Sequence, residues 1–318
     1  MLKILNKEIS ISALCERIRV IIRSLVKPFH PTSSPYLSGD TFRSFCHVQI
    51  DDWAVNSDVS KQILKLIEFR NEATIRLFLD LHVVLTQEQQ SFITNLLTQV
   101  PVEIRQKTII LLHNHDLLPP QNFYAQLFEI GYVLYCVNIV KADKSVLPLP
   151  IGLENRWRLN NGRIRQFTKS RSKLNSRNRR RQMVFAAFTV GTNPIERQAA
   201  RAACLKAGFP FNEGRISHRR HRKQLMNSYF VISPPGNGPD CHRTWEAIYL
   251  GCIPVVLRSA LAEEFTRNLP IFAVDDWGDF FNLSDDQKFA LYQQLCKCST
   301  DLAFDTIWRR KLGVISAS

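Results

Sequence analysis

Hydrophobic positions along this chain fall into short continuous runs separated by longer stretches with helical spacing. Ile75–Leu81, Thr108–His113 and Val133–Val137 are rich in β-branched, aromatic and other large apolar residues and read as buried strands, with Val146–Pro148 as a shorter fourth. Between them, Gln87–Leu97 and Gln121–Gly131 predict helices. The alternation resumes at residue 183. The run MVFAAFT predicts a strand, Glu196–Ala207 a helix, Phe230–Ser233 a strand, Arg243–Leu250 a helix and Cys252–Val256 a strand. Ile271–Val274 follows as a strand, then Ser284–Cys296 and Asp301–Lys311 as helices. Strands alternating with helices predict parallel sheets flanked by helices.

The two alternating segments are separated by Lys169–Arg181, which holds seven basic residues in thirteen and almost nothing apolar. Such a run reads as a mobile, solvated connection. The expected division is an N-terminal helix and linker over 1–35, an α/β domain over 36–165, a basic linker over 166–182 and a second α/β domain over 183–318. A ligand cleft is expected between the two domains. The pattern alone is equally compatible with one large doubly wound domain.

Ser10–Lys27 has Ile11, Leu14, Ile18, Ile21, Ile22 and Leu25 at helix spacing, with arginines and a lysine between them. A basic amphipathic helix lies on an anionic membrane surface, or packs on its own domain or a partner. Across the whole chain, 42 lysines and arginines face 28 acidic residues, a net charge of +14. That surplus favours anionic partners. Two basic clusters, Lys169–Arg181 and His218–Lys223, read either as solvated charge or as attraction to anionic lipid. Neither has interleaved aromatics or a recognisable module for nucleic acid. No run is long and uncharged enough to span a bilayer, and the N-terminus does not read as a signal peptide. A cytoplasmic location, peripheral to the inner face of a membrane, is expected. The eight cysteines form no disulfide framework and read as reduced thiols.

Chemistry concentrates in FVISPPGNGPDCHRTWEAIYLGCIPVV, residues 230–256. A strand enters a loop containing Gly236 and Gly238, whose freedom at backbone angles closed to other residues suits a tight turn. Asp240 is placed to cap the helix that follows. A glycine loop feeding a helix N-terminus beside a parallel sheet is a site for an anionic ligand. His242 and Arg243 add donors and charge there, and Glu246 one turn later is placed to accept from a ribose. The expected ligand is a nucleotide diphosphate, held by Ser233, Gly236, Asn237, Gly238, Asp240, His242, Arg243 and Glu246. Asn193-Pro194 starts an earlier helix as cap and first residue, and Arg197 in its first turn is a second diphosphate contact. Trp245 reads as core. No metal site is expected.

The same segment resembles the donor-site signature of the exostosin-type glycosyltransferases, in Ser233-Pro234-Pro235-Gly236, Cys241-His242-Arg243, Trp245-Glu246 and Gly251-Cys252-Ile253-Pro254. Ser38–Arg43, Thr192–Arg197 and Pro150–Asn155 are similar to further pieces of that family. The resemblance implies a GT-B-like fold of two Rossmann-like domains and an inverting sugar transfer from a nucleotide-sugar. The favoured donor is a UDP-sugar, with a glycan or lipid-linked hydroxyl as acceptor, in surface polysaccharide synthesis. With arginines and a helix end to meet the diphosphate charge, the transfer needs neither metal nor cofactor. The base is sought at the end of strand Thr108–His113, in Asp116 or His113, with Asp80 and His82 as alternatives. A turn in which such residues only bond backbone groups is the competing reading. Glu154 and Asn155 line the cleft or only fix a hinge at Gly152. Two other functions stay open: a non-catalytic nucleotide-sugar or glycan binder on the same scaffold, and a basic nucleic-acid-binding protein.

Overall fold

The computed structural model describes residues 35–50, 59–80, 86–115, 121–139, 142–156, 164–174, 180–214, 216–258 and 261–315. The predicted helix Ser10–Lys27, Asp116 and His82 lie outside them.

Two five-stranded sheets form, and every strand pair in both is parallel. The first holds β1 (Val48–Ile50), β2 (Ile75–Asp80), β3 (Thr108–His113), β4 (Val133–Cys136) and β5 (Leu147–Pro148), in that spatial order. All six residues of β2 are buried, as a strand covered on both faces requires. Helix α1 (Gly39–Ser44) precedes β1, and α2 (Val59–Leu64) precedes β2. The helices α3 (Gln87–Thr98), α4 (Val102–Arg105) and α5 (Gln121–Glu129) make the next crossovers. Thr86 starts α3 through a reciprocal capping box with Gln89.

After α6 (Ile164–Arg171), the second sheet is built from β6 (Gln182–Ala187), β7 (Phe211–Asn212), β8 (Ser228–Ile232), β9 (Ile253–Leu257) and β10 (Phe272–Val274). Its spatial order is β10-β9-β8-β6-β7. The crossovers carry α7 (Pro194–Lys206), α8 (His218–Asn227), α9 (His242–Tyr249) and α10 (Glu263–Asn268). Helices α11 (Trp277–Phe281), α12 (Asp285–Leu295) and α13 (Asp305–Lys311) follow. Gly251, with φ of 67°, ends α9 in the left-handed conformation expected of it.

One apolar cluster joins the sheets. It contains Phe78 and Leu111 of the first and Phe185 and Val231 of the second, with Tyr36, Tyr249 and Trp308 between. The predicted helix Asp301–Lys311 breaks at Phe304, which pairs with Tyr36, and α13 crosses back to the first sheet. There Trp308 meets Phe42 edge-on at 5.6 Å, and Arg76 donates to the Gly313 carbonyl at 3.0 Å. Apolar burial thus draws the end of the chain away from the segment it was expected to join.

The two ends of the basic stretch 169–181 are described, and 175–179 lie outside the described residues. Lys169–Arg171 complete α6, whose Phe167 is buried. Arg180 reaches the carbonyls of Leu225 and Ser228 at 3.0 and 2.6 Å, so this part of the connection is anchored rather than solvated.

Candidate functional site

The strand order of the second sheet sets the geometry. From β6 the chain steps outward to β7, then returns to the other side of β6 to form β8. Consecutive crossovers diverge between β6 and β8, and ligands of open α/β sheets bind outside the carboxyl ends of strands at such a point. Here β6 runs into Phe188 and Thr189, and β8 into Ser233–Gly236.

Two guanidinium groups occupy this position. Arg197 is buried, with 6% of its surface exposed. Its Nε donates to the Pro235 carbonyl at 2.8 Å and its Nη1 to the Thr189 carbonyl at 2.9 Å. Arg243, in the first turn of α9, lies 5.6 Å from the centre of the Phe188 ring, and Arg197 lies 5.9 Å from it. The buried Nε and Nη1 of Arg243 have no hydrogen-bond partner. Burial, and then the charge of Arg243, push Arg197 down to about 10. Neither arginine forms an ion pair with a described carboxylate. Like charges held together with unused donors make a seat for an anion.

The glycine loop lies against this pair, but for different reasons than its sequence suggests. Gly236 and Gly238 do not adopt positive φ. They are required by contact: a Cβ on Gly238 would lie 2.6 Å from the Asn138 side chain, and one on Gly236 would lie 3.1 Å from Arg197 Nη2. The Gly236 amide is already bonded to the Gly238 carbonyl at 3.0 Å, and Asn193 Nδ2 donates to the Gly236 carbonyl at 3.1 Å. Asn193 also caps α7, with Pro194 in its first turn. Asn237 is exposed at the loop tip. Ser233 is buried and bonds Thr244 Oγ1 at 2.9 Å, fastening loop to helix.

Asp240 does not cap α9; the cap position is Cys241, whose side chain makes no capping bond. The Asp240 carboxylate instead accepts from Trp245 Nε1 at 2.8 Å and from the Ile151 amide at 2.9 Å. Burial pushes this carboxyl up to about 6, against those hydrogen bonds, which favour ionisation. Its competing partners explain the failed cap.

His242 faces the first unit. Its Nδ1 bonds the Gly152 carbonyl at 2.8 Å, and its Nε2 lies 3.6 Å from Glu154 Oε2. Burial opposes charge on His242, but Glu154, the Gly152 carbonyl, Glu246 and Asp240 outweigh it and raise its pKa. Glu246 is paired with His221 of α8, at 3.1 Å from Nε2 to Oε2. Burial disfavours the Glu246 anion, yet His221, His242 and Arg243 hold its carboxyl below the usual range.

Across the junction, the ends of β2 and β3 form a buried polar network. Asp80 bonds Arg43 at 2.8 Å and Asn114 Nδ2 at 2.9 Å. Asn155 links Asn114 Oδ1, at 2.7 Å, to the Asp40 amide, at 3.0 Å. Gly39 is needed here, because a Cβ would fall 2.5 Å from Asn114 Oδ1. His113 sits inside the core, between the Phe42 and Phe78 rings, and burial drives its pKa down to about 3. It is a core histidine. Gly152 adopts φ of 67° where a Cβ would lie 2.1 Å from the Leu37 carbonyl, confirming a close backbone approach.

The structure therefore brings Arg197, Ser233, the Gly236–Gly238 loop, Asp240, His242, Arg243 and Glu246 to one place. It leaves His113 out and gives Asp240 and Ser233 internal partners. Two residues of the junction escaped the sequence. Asn138, at φ of 61°, accepts the Asp240 amide at 3.1 Å, and His221 holds Glu246. A signal for Asn138 existed in an Asn directly after a strand, where the left-handed conformation is tolerated. No protein-family model matches this chain, and no curated protein matches it.

Proposed function

We propose that this chain is a glycosyltransferase of the exostosin type, with a GT-B-like cleft between the two sheets and a nucleotide-sugar bound at the switch point of the second. The observation that carries this reading is the Arg197–Arg243 pair around Phe188, where Arg243 keeps buried, unpartnered donors beneath the glycine loop. The diphosphate is the ligand class that fits. Its oxygens take up the Arg243 donors, and the start of α9 adds its positive end. Glu246, ionised beside His221, accepts from the ribose hydroxyls. The motif resemblance across residues 233–254 supports the same assignment.

In the transfer, the acceptor hydroxyl oxygen bonds to the anomeric carbon from the face opposite the diphosphate. The bond from that carbon to the diphosphate oxygen breaks, the hydroxyl proton passes to a base, and the nucleoside diphosphate leaves. The arginines and the helix end stabilise the charge that develops on the leaving oxygen. His113 is excluded as base by its burial and its pKa of about 3, and Asp80 is committed to Arg43 and Asn114. Asp116 or His82 therefore carries that role in this reading. The acceptor is a glycan or lipid-linked hydroxyl entering from the first sheet.

Calorimetric titration with UDP, GDP and CMP tests the assignment. One nucleotide should bind the wild type and fail to bind Arg243→Met. Absence of binding by all three to folded protein would remove the donor site. One observation favours the second reading, a nucleotide-sugar binder without turnover: both described base candidates, His113 and Asp80, are already committed. A donor that binds but is neither transferred nor hydrolysed would decide for it.

A further inference from the structure

The two basic clusters, Lys169–Arg181 and His218–Lys223, are separated by a strand, a helix and a further strand, yet the fold places them side by side. Helix α6 packs on α8, with Arg222 of α8 over the Phe167 ring at 5.6 Å and bonded to Gln166. The chain at Arg181 joins the same surface, because its amide donates to the Asn227 carbonyl at the end of α8. Residues 164–174, 180–181 and 216–227 together contain ten lysines and arginines and no aspartate or glutamate. Arg165, Lys169, Arg181, Arg219, Arg220 and Lys223 are exposed. None of these six forms an ion pair with a described residue.

We propose that the α6–α8 face is a docking surface for an anionic lipid membrane. The side chains are long and exposed, with no large apolar residue exposed among them to insert and no aromatic to stack on a base or sugar. That chemistry suits a diffuse layer of lipid phosphates, which requires density of charge rather than directed contacts. The outward face of α8 carries Arg219, Arg220 and Lys223, while its inward face gives His221 to Glu246. A docked membrane would thus lie about one helix diameter, ~10 Å, from the candidate site. The surface is independent of the donor assignment; if both hold, a lipid-linked acceptor is delivered beside the donor.

The test is co-sedimentation of the full chain with vesicles of phosphatidylcholine alone or mixed with phosphatidylglycerol. Each basic residue near such a surface contributes roughly fivefold in partitioning. Combined Arg219→Glu, Arg220→Glu and Lys223→Glu should reduce binding to mixed vesicles by more than about 100-fold. Arg165→Glu with Lys169→Glu, on the other helix, should reduce it in the same direction. Reversal of Lys65, Lys206 and Lys297, exposed elsewhere, makes the same change in net charge and should leave most of the binding. Circular dichroism checks that each variant is folded. The proposal is overturned if neutral vesicles bind equally, or if the control reversal weakens binding as much. It is also overturned if both α6 and α8 variants still bind, or if only heparin or an oligonucleotide is retained.

Discussion

Arg243→Met separates a ligand seat from a structural arginine. The substitution keeps an unbranched stem against Phe188 and removes the charge with its two orphaned donors. Each buried donor without a partner costs about 1–3 kcal/mol. Arg197 sits near 10 rather than 12.5. Burial is the larger cause of that lowering and the charge of Arg243 the second, so removing Arg243 relieves part of it. Against these gains stands the loss of a cation–π contact, about 1 kcal/mol. The ligand-free variant should therefore be at least about 1 kcal/mol more stable than the wild type, a rise of a few degrees in Tm. The nucleotide response should behave oppositely. A wild-type protein in a hundredfold excess over Kd gains about 2.7 kcal/mol, and the variant gains nothing. Thermal unfolding with and without UDP reads both effects. If Arg243→Met lowers the stability of the ligand-free protein by more than about 1 kcal/mol, the charge is compensated in the fold. The anion seat is then refuted, as it is if the variant still responds to UDP like the wild type.

Gly152→Ala should destabilise by at least about 2 kcal/mol, since the left-handed backbone and the Leu37 carbonyl both exclude a Cβ; an unchanged denaturation midpoint would count against that approach. His242 is held above its usual pKa, so its contribution is fully present below pH 6.5 and lost as pH rises through the higher folded value. Tm should fall over that alkaline window and the slope should flatten in Glu154→Gln; equal slopes would show that Glu154 is not the cause. His221→Ala should weaken donor binding by about five- to tenfold through loss of one charge-assisted bond to Glu246, and His221→Gln should restore part of it. Equal affinity in all three would mean Glu246 needs no positioning.

Strands and helices were legible because parallel strands buried on both faces must be continuous apolar runs, as β2, β3, β6 and β8 are. Of the four edge strands, β5 and β10 were legible too, but β1 and β7 were not: β7 has two residues, neither fully buried, and leaves no pattern. Yet β7 is what makes the strand order reverse beside β6, so the switch point was hidden with it. The glycine loop was legible as a loop, but its glycines answer to Asn138 and Arg197, residues remote in sequence. Asp240 illustrates the same limit. Its position next to a helix start predicts a cap, while its partners are Trp245 and Ile151, the second 89 positions away. His113 stayed open between base and turn residue because a strand-end histidine in sequence does not reveal the two phenylalanines that enclose it.

Holding two guanidinium groups together without a ligand is unfavourable, and the fold offsets it through the same helix that presents Arg243. One side of α9 is core: Trp245, Ile248 and Tyr249 are buried, with Trp245 edge-on to Phe265 at 5.3 Å. Tyr249 hydroxyl accepts from the Leu37 amide at 3.1 Å and donates to the Ala303 carbonyl at 2.8 Å, tying the helix to both ends of the described chain. Trp245 carries that anchoring into the loop, since its indole N–H holds Asp240, which holds Ile151. The loop carbonyls are fixed in turn by Arg197 and Asn193. Little is left to reorganise when an anion arrives, and preorganised donors in a buried site act more strongly than mobile ones. Trp245 is thus core, and its packing fixes the helix that presents Arg243.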